Sequence, residues 1–301
     1  MKTIRLNTEL PDAFVEGLEG QFLDNSAYDG EPVAEDAVVY KPNGDVLFKL
    51  VRNELPLGLC NTAWAALRSV SADAAHRIVA SGGAAPKLNG VSDVAGFLNR
   101  TGRHGLDYCR LTGWSMNNPD RFAQAIPFIQ AIDRVFQRHM PERHAAQMAK
   151  VRKTDPAFVI HRTAFTTVTV NKNFRTGVHT DSGDLKEGFG VITGLCAGEF
   201  TGGELIFPKY RSAVRFGTQD VLLCDVHEHH ANGPIVGIEG HFERMSCVLY
   251  YRSGMVECGS PAEELKRLKN RKVVMVNGRR VVTKTPEERG ITLEIDDDVE
   301  L

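Results

Sequence analysis

The sequence lacks the features that mark several broad classes of protein. No apolar run approaches the length of a membrane-spanning helix, and the N-terminus is not followed by the apolar segment of a secretory signal. The formal net charge of −2 provides no overall positive field for a polyanion. We therefore expect a cytoplasmic protein with no membrane partner, whose 301 residues suit one large domain or two ordinary ones.

Cysteine is also scarce. The six cysteines are far apart in the chain, and no CxxC pair is present. Segments such as VLLC and SCVLYY place cysteines within apolar runs. This pattern favours reduced thiols in a hydrophobic core over disulfides or a zinc site.

Hydrophobic spacing divides the chain into a helical first half and a strand-rich second half. AVVYKPNGDVLFKLV predicts a hairpin about Asn43-Gly44, and residues 56–80, 118–140 and 141–153 have helical spacing. Glycine and proline between residues 82 and 105 predict a long loop or several turns. Six later segments predict the strands of a compact barrel or sandwich. They are FTTVTV, GFGVITGLC, GGELIFP, SAVRF, DVLLCDV and SCVLYYR.

The last part of the chain is first basic and then acidic. ELKRLKN predicts a helix, and KVVMVNGRRVV predicts a hairpin. A basic patch in this tail could follow a phosphate backbone, although a solvated charged face is an equally open interpretation. Its candidate phosphate-binding residues are Lys266, Arg267, Lys269, Arg271, Lys272, Arg279 and Arg280. The loop NRTGRHG, with Arg100, Arg103 and His104, is a second candidate.

The segment RTGVHTDSGD, residues 175–184, holds the first candidate metal ligands. His179 and Asp181 are two positions apart in an extended segment, so their side chains should point to the same face. A third ligand could come from His227, His229 or His230 in DVLLCDVHEHHANGP. Two histidines and one carboxylate form the facial triad of non-haem Fe(II) oxygenases.

A candidate cosubstrate site follows the last histidine. Arg244 opens the strand RMSCVLYYR, and its guanidinium could bind the distal carboxylate of 2-oxoglutarate with two hydrogen bonds. Ser246 shares the face of Arg244 and could add a hydroxyl donor. Asn173 and Arg175, before the His-x-Asp pair, could support 2-oxoglutarate or line the pocket. A polar outer face explains those two residues equally well.

Three segments together resemble a known family. VNKNFRTGVHTDSGD, DVHEHHANGPI and RMSCVLYYR are similar to the TET/JBP group of Fe(II)/2-oxoglutarate DNA-base hydroxylases, particularly its JBP-like and phage-type members. The resemblance covers residues 160–255 and extends more weakly over the N-terminal half. It implies that His179, Asp181 and His230 bind Fe(II), and that Arg244 binds 2-oxoglutarate.

The resemblance also implies a fold and a reaction. The fold would be α+β, with a double-stranded β-helix (jelly-roll, cupin-like) core and a helical N-terminal half packed on it. Residues 161–256 would be the catalytic core, 1–160 a helical and hairpin support region, and 257–301 a basic helix-hairpin tail with an acidic C-terminus, all in one continuous domain. In the reaction, O₂ would oxidise 2-oxoglutarate to succinate and CO₂ while a C–H bond is hydroxylated.

The implied substrate is methylated double-stranded DNA, bound by a monomer associated with the nucleoid, with the target base flipped out of the helix. TET enzymes carry a base-contacting Asn three residues after the metal Asp and a base-contacting His eight residues after the 2-oxoglutarate Arg. Asp184 and Arg252 occupy these places here. A carboxylate can accept from the amine of cytosine or from N3–H of thymine. The expected conversion is of 5-methylcytosine to 5-hydroxymethylcytosine, with thymine to 5-hydroxymethyluracil as the alternative.

Two further interpretations stay open. The order His-x-Asp, His, Arg and the segment GGELIFP also fit protein prolyl hydroxylases, whose substrate is a peptide. A barrel that binds modified DNA or a small ligand without catalysis would share the fold but release no succinate.

Overall fold

The structure is a computed structural model that describes residues 1–70, 91–100 and 108–270, together with the backbone of 272–276 and 279–283. The strands are β1 (Lys2–Arg5), β2 (Ala37–Tyr40), β3 (Val46–Val51), β4 (Val91–Leu98), β5 (Arg110–Leu111), β6 (Thr167–Lys172), β7 (Gly190–Ala197), β8 (Phe200–Gly202), β9 (Leu205–Phe207), β10 (Ser212–Val214), β11 (Val221–Cys224), β12 (Ala231–Asn232), β13 (Ile235–Gly237), β14 (Glu243–Tyr250), β15 (Lys272–Val276) and β16 (Arg279–Thr283). The helices are α1 (Asp12–Glu16), α2 (Leu57–Leu67), α3 (Gly113–Asn117), α4 (Pro119–His139), α5 (Pro141–Val151) and α6 (Pro261–Asn270).

Nine strands form a large sheet in the order β1-β2-β3-β11-β7-β14-β6-β4-β5. Neighbouring strands in this sheet are antiparallel, except β1 and β2, which are parallel. Strand β11 shows how the sheet separates two cores. Its Val221 and Leu223 join the core on the helical side, whereas Leu222 and Cys224 join the core under a second sheet. Successive side chains of a strand point to opposite faces, so an all-apolar strand such as VLLC is buried on both.

The second sheet is small, with the order β10-β9-β12, and it packs on the large sheet. Phe48 of β3 and Phe207 of β9 stack between the two sheets, with ring centroids 5.6 Å apart. On the helical side, Phe136 of α4 stacks on Phe165 at 6.1 Å. Helices therefore cover one face of the large sheet, and a second sheet covers part of the other. This arrangement confirms the predicted α+β class.

The helices and hairpins predicted from hydrophobic spacing are confirmed where the structure describes them. Helix α4 begins at Pro119, and the side chain of Asn118 does not cap it, because the amide donates to the Trp114 carbonyl at 3.0 Å. Hairpins join β2 to β3 and β15 to β16. The exception is the helix predicted over 56–80: it is present as α2 but ends at Leu67, residues 68–70 form a turn, and residues 71–80 lie outside the described residues.

The predicted loop over 82–105 is wrong for residues 91–98, which form β4 between β5 and β6. Gly96 explains the error. Its φ is +92°, and an added Cβ would lie 2.5 Å from the Thr166 carbonyl oxygen. The glycine that favoured a loop marks a close backbone approach within the sheet. The rest of the range, except 99–100, lies outside the described residues.

Gly96→Ala is expected to lower the free energy of unfolding by about 1–3 kcal/mol, because alanine would be strained at this φ and would meet Thr166. Gly58→Ala is the matched control. Gly58 is exposed on α2, and an added Cβ would have no atom within 4 Å. That change should be neutral or stabilising by up to about 1 kcal/mol. Urea unfolding measures both changes, and equal stabilities would contradict the argument.

The expectation of reduced thiols is wrong for one pair. Cys109 and Cys258 form a disulfide across 149 residues, beside Tyr251 and Met255 in a small apolar cluster. Nothing in the local sequence joins these two positions, because tertiary packing alone brings them together. The other four cysteines, Cys60, Cys196, Cys224 and Cys247, are free.

The large sheet crosses the boundary that was predicted at residue 160. Strands β1–β5 come from the expected N-terminal support region, yet β3 pairs with β11 and β4 pairs with β6. The three-part division stays a prediction, while the shared sheet accords with one continuous domain. Within the described residues, no helix has the length and apolar character needed to cross a membrane.

Candidate active site

A cavity of about 840 Å³ lies between the two sheets. One wall is the large sheet, through side chains of β6, β7 and β14. These are Thr169, Asn171, Ile192, Ser246, Val248 and Tyr250. Facing them are Leu205 of β9, Asn232 of β12 and the segment 179–184. Six of the polar residues predicted from the sequence therefore meet in one place: His179, Asp181, Asp184, His230, Ser246 and Arg252.

His179, Asp181 and His230 lie together in the cavity lining, and one ligand atom from each lies within 4.8 Å of the others. Nε2 of His179 is 3.7 Å from Oδ1 of Asp181, and Nε2 of His230 is 3.8 Å from Oδ2. These distances are too long for hydrogen bonds between the side chains. They suit three ligands that share one cation.

Backbone pairing brings the three residues together across the sequence. The His179 amide donates to the His230 carbonyl at 3.0 Å, and the His230 amide returns the bond at 2.9 Å. The Asp181 amide donates to the Val226 carbonyl at 2.9 Å. The cluster is therefore held by main-chain bonds as well as by side-chain packing.

Carbonyl contacts set the tautomers of both histidines. Nδ1 of His179 lies 2.9 Å from the Gly177 carbonyl, and Nδ1 of His230 lies 2.9 Å from the Glu228 carbonyl. A carbonyl can only accept, so each Nδ1 donates and each Nε2 keeps a free lone pair. Burial, with repulsion from His179, lowers the pKa of His230 to about 4, which leaves the ring neutral at pH 7. Two imidazoles and a carboxylate are the donor set of a non-haem iron site.

The neighbouring histidines stay outside the cluster, as the family resemblance implied. His227 lies between Asp225 and the Asp184 carbonyl, and its hydrogen bond with Asp225 raises its pKa. Nε2 of His229 lies 3.1 Å from Oε1 of Glu19. The structure thus singles out His230 from the three candidates in HEHH.

Arg244 supplies a buried cation beside the cavity. Its side chain is 3% exposed, and burial lowers its pKa. Nη2 donates to the Gly203 carbonyl at 2.7 Å, while Nη1 has no hydrogen-bond partner in the described part of the chain. The guanidinium lies 5.6 Å from the ring centroid of Phe216, which lines the cavity. A buried cation with an unsatisfied donor suits a carboxylate ligand, and Ser246 faces the same cavity.

Gly203 is a site residue that sequence reasoning missed. Its φ is +74°, and an added Cβ would lie 2.6 Å from Nε of Arg244. Only glycine leaves room for the guanidinium at this position. The Gly-Gly pair in GGELIFP was the available signal.

The structure gives Asn173 and Arg175 contacts outside the cavity lining, and their support of the cosubstrate stays a prediction. Asn173 has φ +47°, which ends the strand alternation, and its Oδ1 accepts from the Arg244 amide at 2.7 Å. Arg175 donates to the Leu23 and Asn232 carbonyls, and it lies 5.3 Å from the Phe22 ring centroid. Neither residue lines the cavity, whereas Asn171 does.

Asp184 and Arg252 both line the cavity and form an isolated backbone bridge with each other. Nε of Arg252 donates to Oδ1 of Asn99 at 3.0 Å. Asn99 opens the segment NRTGRHG, which was predicted to contact phosphate and not to hold Arg252. The role of Asp184 and Arg252 in reading a base stays a prediction.

Among the described residues, those predicted to contact phosphate do not line the cavity. Lys266, Arg267 and Lys269 lie on α6, and Nε of Arg267 is 3.9 Å from the buried Glu264. Arg100 forms an ion pair with the same Glu264, so it serves a structural contact. Arg103, His104, Arg271 and the side chains of Lys272, Arg279 and Arg280 lie outside the described residues.

An N-terminal segment also lines the cavity, which the sequence did not reveal. Glu19 pairs with Val178 in a parallel bridge, and the Gly20 amide donates to the Val178 carbonyl at 2.8 Å. Gly177 permits this approach, because an added Cβ would lie 2.7 Å from the Gly20 carbonyl oxygen. Glu19 and Gly20 thus form part of the wall.

Known proteins are similar to this chain in sequence and in fold. Residues 93–253 match the Tet_JBP family, described as the oxygenase domain of the 2OGFeDO superfamily. The bifunctional helicase and thymine dioxygenase JBP2 of Leishmania tarentolae is 31% identical over 241 residues, which cover 79% of this chain and 21% of that protein. Thymine dioxygenase JBP1-B of Trypanosoma cruzi (strain CL Brener) is 31% identical over 278 residues, which cover 91% of this chain and 32% of that protein. The chain therefore spans from a fifth to a third of the length of these relatives.

A solved structure, NgTET1 in complex with 5mC DNA, matches with a TM-score of 0.55 at 13% sequence identity. The match covers 86% of this chain and 99% of that chain. It confirms the predicted double-stranded β-helix fold. Since the family match covers more than half of the sequence, the chain belongs to the Tet_JBP family of oxygenase domains and is a dioxygenase that depends on Fe(II) and 2-oxoglutarate.

Proposed function

We propose that this chain hydroxylates the 5-methyl group of a pyrimidine in DNA, with thymine as the first target. One observation carries the proposal: the His179, Asp181, His230 cluster lies in a cavity lined by Phe216, and the guanidinium of Arg244, whose Nη1 has no partner among the described residues, lies against that ring. The choice of thymine is supported by the relatives named as thymine dioxygenases, which share 31% of their aligned residues with this chain.

In this proposal, Nε2 of His179, the Asp181 carboxylate and Nε2 of His230 hold Fe(II). The bound metal, with 2-oxoglutarate and O₂, supplies the oxidising power for an unactivated C–H bond. Arg244 binds the distal carboxylate of 2-oxoglutarate through Nη1, and Ser246 adds a hydroxyl. The Gly177 and Glu228 carbonyls keep both imidazoles in the ligand tautomer.

The substrate base enters the same cavity. A methyl carbon of a stacked base could not reach ligands buried between two sheets, so the base must be flipped out of the helix. The volume of about 840 Å³ lies in the range of ligand pockets. We assign Asp184 to accept from N3–H of thymine and Arg252 to donate to O2 of the base. Both residues line the cavity.

5-Methylcytosine, which the sequence favoured, is the second candidate target. The carboxylate of Asp184 can accept from the exocyclic amine of cytosine as readily as from N3–H of thymine. The proposed contact therefore suits both pyrimidines, and the relatives named as thymine dioxygenases support thymine as the first candidate.

Two matched DNA duplexes test the target base. One contains thymine and unmethylated cytosine, and the other contains 5-methylcytosine with uracil in place of thymine. After incubation with the protein, Fe(II) and 2-oxoglutarate, nucleoside mass spectrometry should detect 5-hydroxymethyluracil from the first duplex in larger amount than any product from the second. A larger yield of 5-hydroxymethylcytosine would move the assignment to the second candidate. No hydroxymethylated nucleoside in either duplex would overturn the DNA proposal.

A further inference from the structure

A buried ion network lies outside the cavity lining. Lys41, which follows β2 and is 8% exposed, donates to Oδ2 of Asp225 and to Oε1 of Glu228, both at 2.7 Å. Tyr210 donates its hydroxyl to the same oxygen of Glu228 at 2.9 Å. One lysine therefore meets two carboxylates at a turn, residues 225–228, that directly follows β11.

Lys41 and Asp225 are both charged at neutral pH. Burial acts to lower the pKa of Lys41, but hydrogen bonds to Asp225 and Glu228 outweigh it and raise the pKa. Burial likewise acts to raise the pKa of Asp225, but hydrogen bonds from His227 and Lys41 hold it well below its usual range. A buried charge that loses its partner is strongly destabilised. Without Lys41, the two carboxylates would repel each other.

The turn 225–228 contacts two of the three candidate metal ligands. Its Val226 carbonyl accepts from the Asp181 amide at 2.9 Å, and its Glu228 carbonyl accepts from Nδ1 of His230 at 2.9 Å. The turn is itself fixed to the N-terminal hairpin, because the Asp225 amide donates to the Leu47 carbonyl at 2.9 Å. A shift of this turn would therefore move Asp181 and change the orientation of His230.

We propose that Lys41 is a positioning residue for the metal site. By neutralising Asp225 and Glu228, it fixes the turn whose carbonyls orient His230 and hold Asp181. Lys41 lies outside the region that matches the family, residues 93–253. By this proposal, the N-terminal hairpin helps to position the metal ligands. The inference rests on the proposed role of the three residues as metal ligands.

Co(II) binding to the metal-free full chain tests this role, with affinity read from the absorbance of the bound ion. Lys41→Met should weaken Co(II) binding by about 10- to 100-fold, the range for loss of an outer partner of a metal ligand. Lys41→Arg keeps the charge and should restore most of the affinity. In metal-free protein, ¹⁵N NMR of Lys41→Met should also show a larger share of the His230 tautomer that is protonated at Nε2.

Lys49→Met is the matched control. Lys49 belongs to the same hairpin, and its amine donates to the His139 carbonyl at 3.1 Å, away from the turn. This variant should lose stability but bind Co(II) as the wild type does. A folded Lys41→Met variant with wild-type affinity would overturn the proposal. So would an equal loss of affinity in Lys49→Met.

Two more variants keep the test decisive. If Lys41→Met does not fold, Tyr210→Phe removes a single hydrogen bond to Glu228 and should weaken Co(II) binding about fivefold. An unchanged affinity in that variant would count against the proposal. His230→Ala tests the ligand assignment separately. If His230→Ala binds Co(II) as the wild type does, the proposed function fails; if only Lys41→Met does so, the positioning role alone fails.

Discussion

Asp181→Ala should abolish metal binding and turnover. Asp181 contributes the only carboxylate of the cluster and faces both histidine Nε2 atoms, at 3.7 and 3.8 Å. Without it, two imidazoles remain, and a divalent cation loses its one anionic ligand. The loss of metal affinity should exceed the roughly 10- to 100-fold loss caused by removing an outer partner of a metal ligand. Co(II) titration and succinate formation measure the two effects.

Asp120→Ala is the matched control for this loss. Asp120 is an exposed carboxylate in the first turn of α4, and the same substitution there should leave both measurements unchanged. Succinate formation in Asp181→Ala within tenfold of the wild-type rate would contradict the assignment of the metal site.

Arg244→Ala should raise the KM for 2-oxoglutarate by roughly 100- to 4,000-fold, since breaking a buried ion pair costs about 3–5 kcal/mol. Arg244 is 3% exposed, and its Nη1 has no hydrogen-bond partner among the described residues. This donor is therefore available to the carboxylate of 2-oxoglutarate. Arg244→Lys should fall between the wild type and Arg244→Ala, because an ammonium keeps the charge but lacks the planar, pre-oriented donors of the guanidinium. Steady-state kinetics at varied 2-oxoglutarate measures all three.

Arg175→Lys is the control for the arginine. The sequence placed Arg175 with the cosubstrate, whereas the structure directs it to the Leu23 and Asn232 carbonyls. Its substitution should leave the KM for 2-oxoglutarate unchanged within about twofold, a smaller change than the loss of one hydrogen bond to 2-oxoglutarate would cause. A large rise in Arg175→Lys with none in Arg244→Ala would reverse the two assignments.

Patterns carried by neighbouring residues could be predicted from the sequence. The Asn43-Gly44 turn, the period of α4 and the apolar run of β11 each depend on a few adjacent side chains. The His179 and Asp181 pair is equally local, since residues two apart in an extended segment share a face. His230 and Arg244 follow this pair later in the chain, and their order completed the predicted site.

Features that depend on contacts between distant residues could not be predicted. Lys41 meets Asp225 across 184 positions, and Cys109 meets Cys258 across 149. A backbone departure can also break a local rule: the positive φ of Asn173 ended the alternation that would have turned Asn173 and Arg175 towards the cavity. The same limit applied at Gly96, where a glycine inside a strand resembles the glycine of a loop.

The central claim is that these residues form an Fe(II)/2-oxoglutarate site that hydroxylates a pyrimidine methyl in DNA. It is tested most directly by measuring succinate and hydroxymethylated nucleoside in the same reaction on methyl-bearing duplex DNA. The two products should form in equal amounts, require both Fe(II) and 2-oxoglutarate, and both disappear in Asp181→Ala. Hydroxymethylated nucleoside that persists in Asp181→Ala, or succinate that forms with DNA left unmodified, would contradict the account.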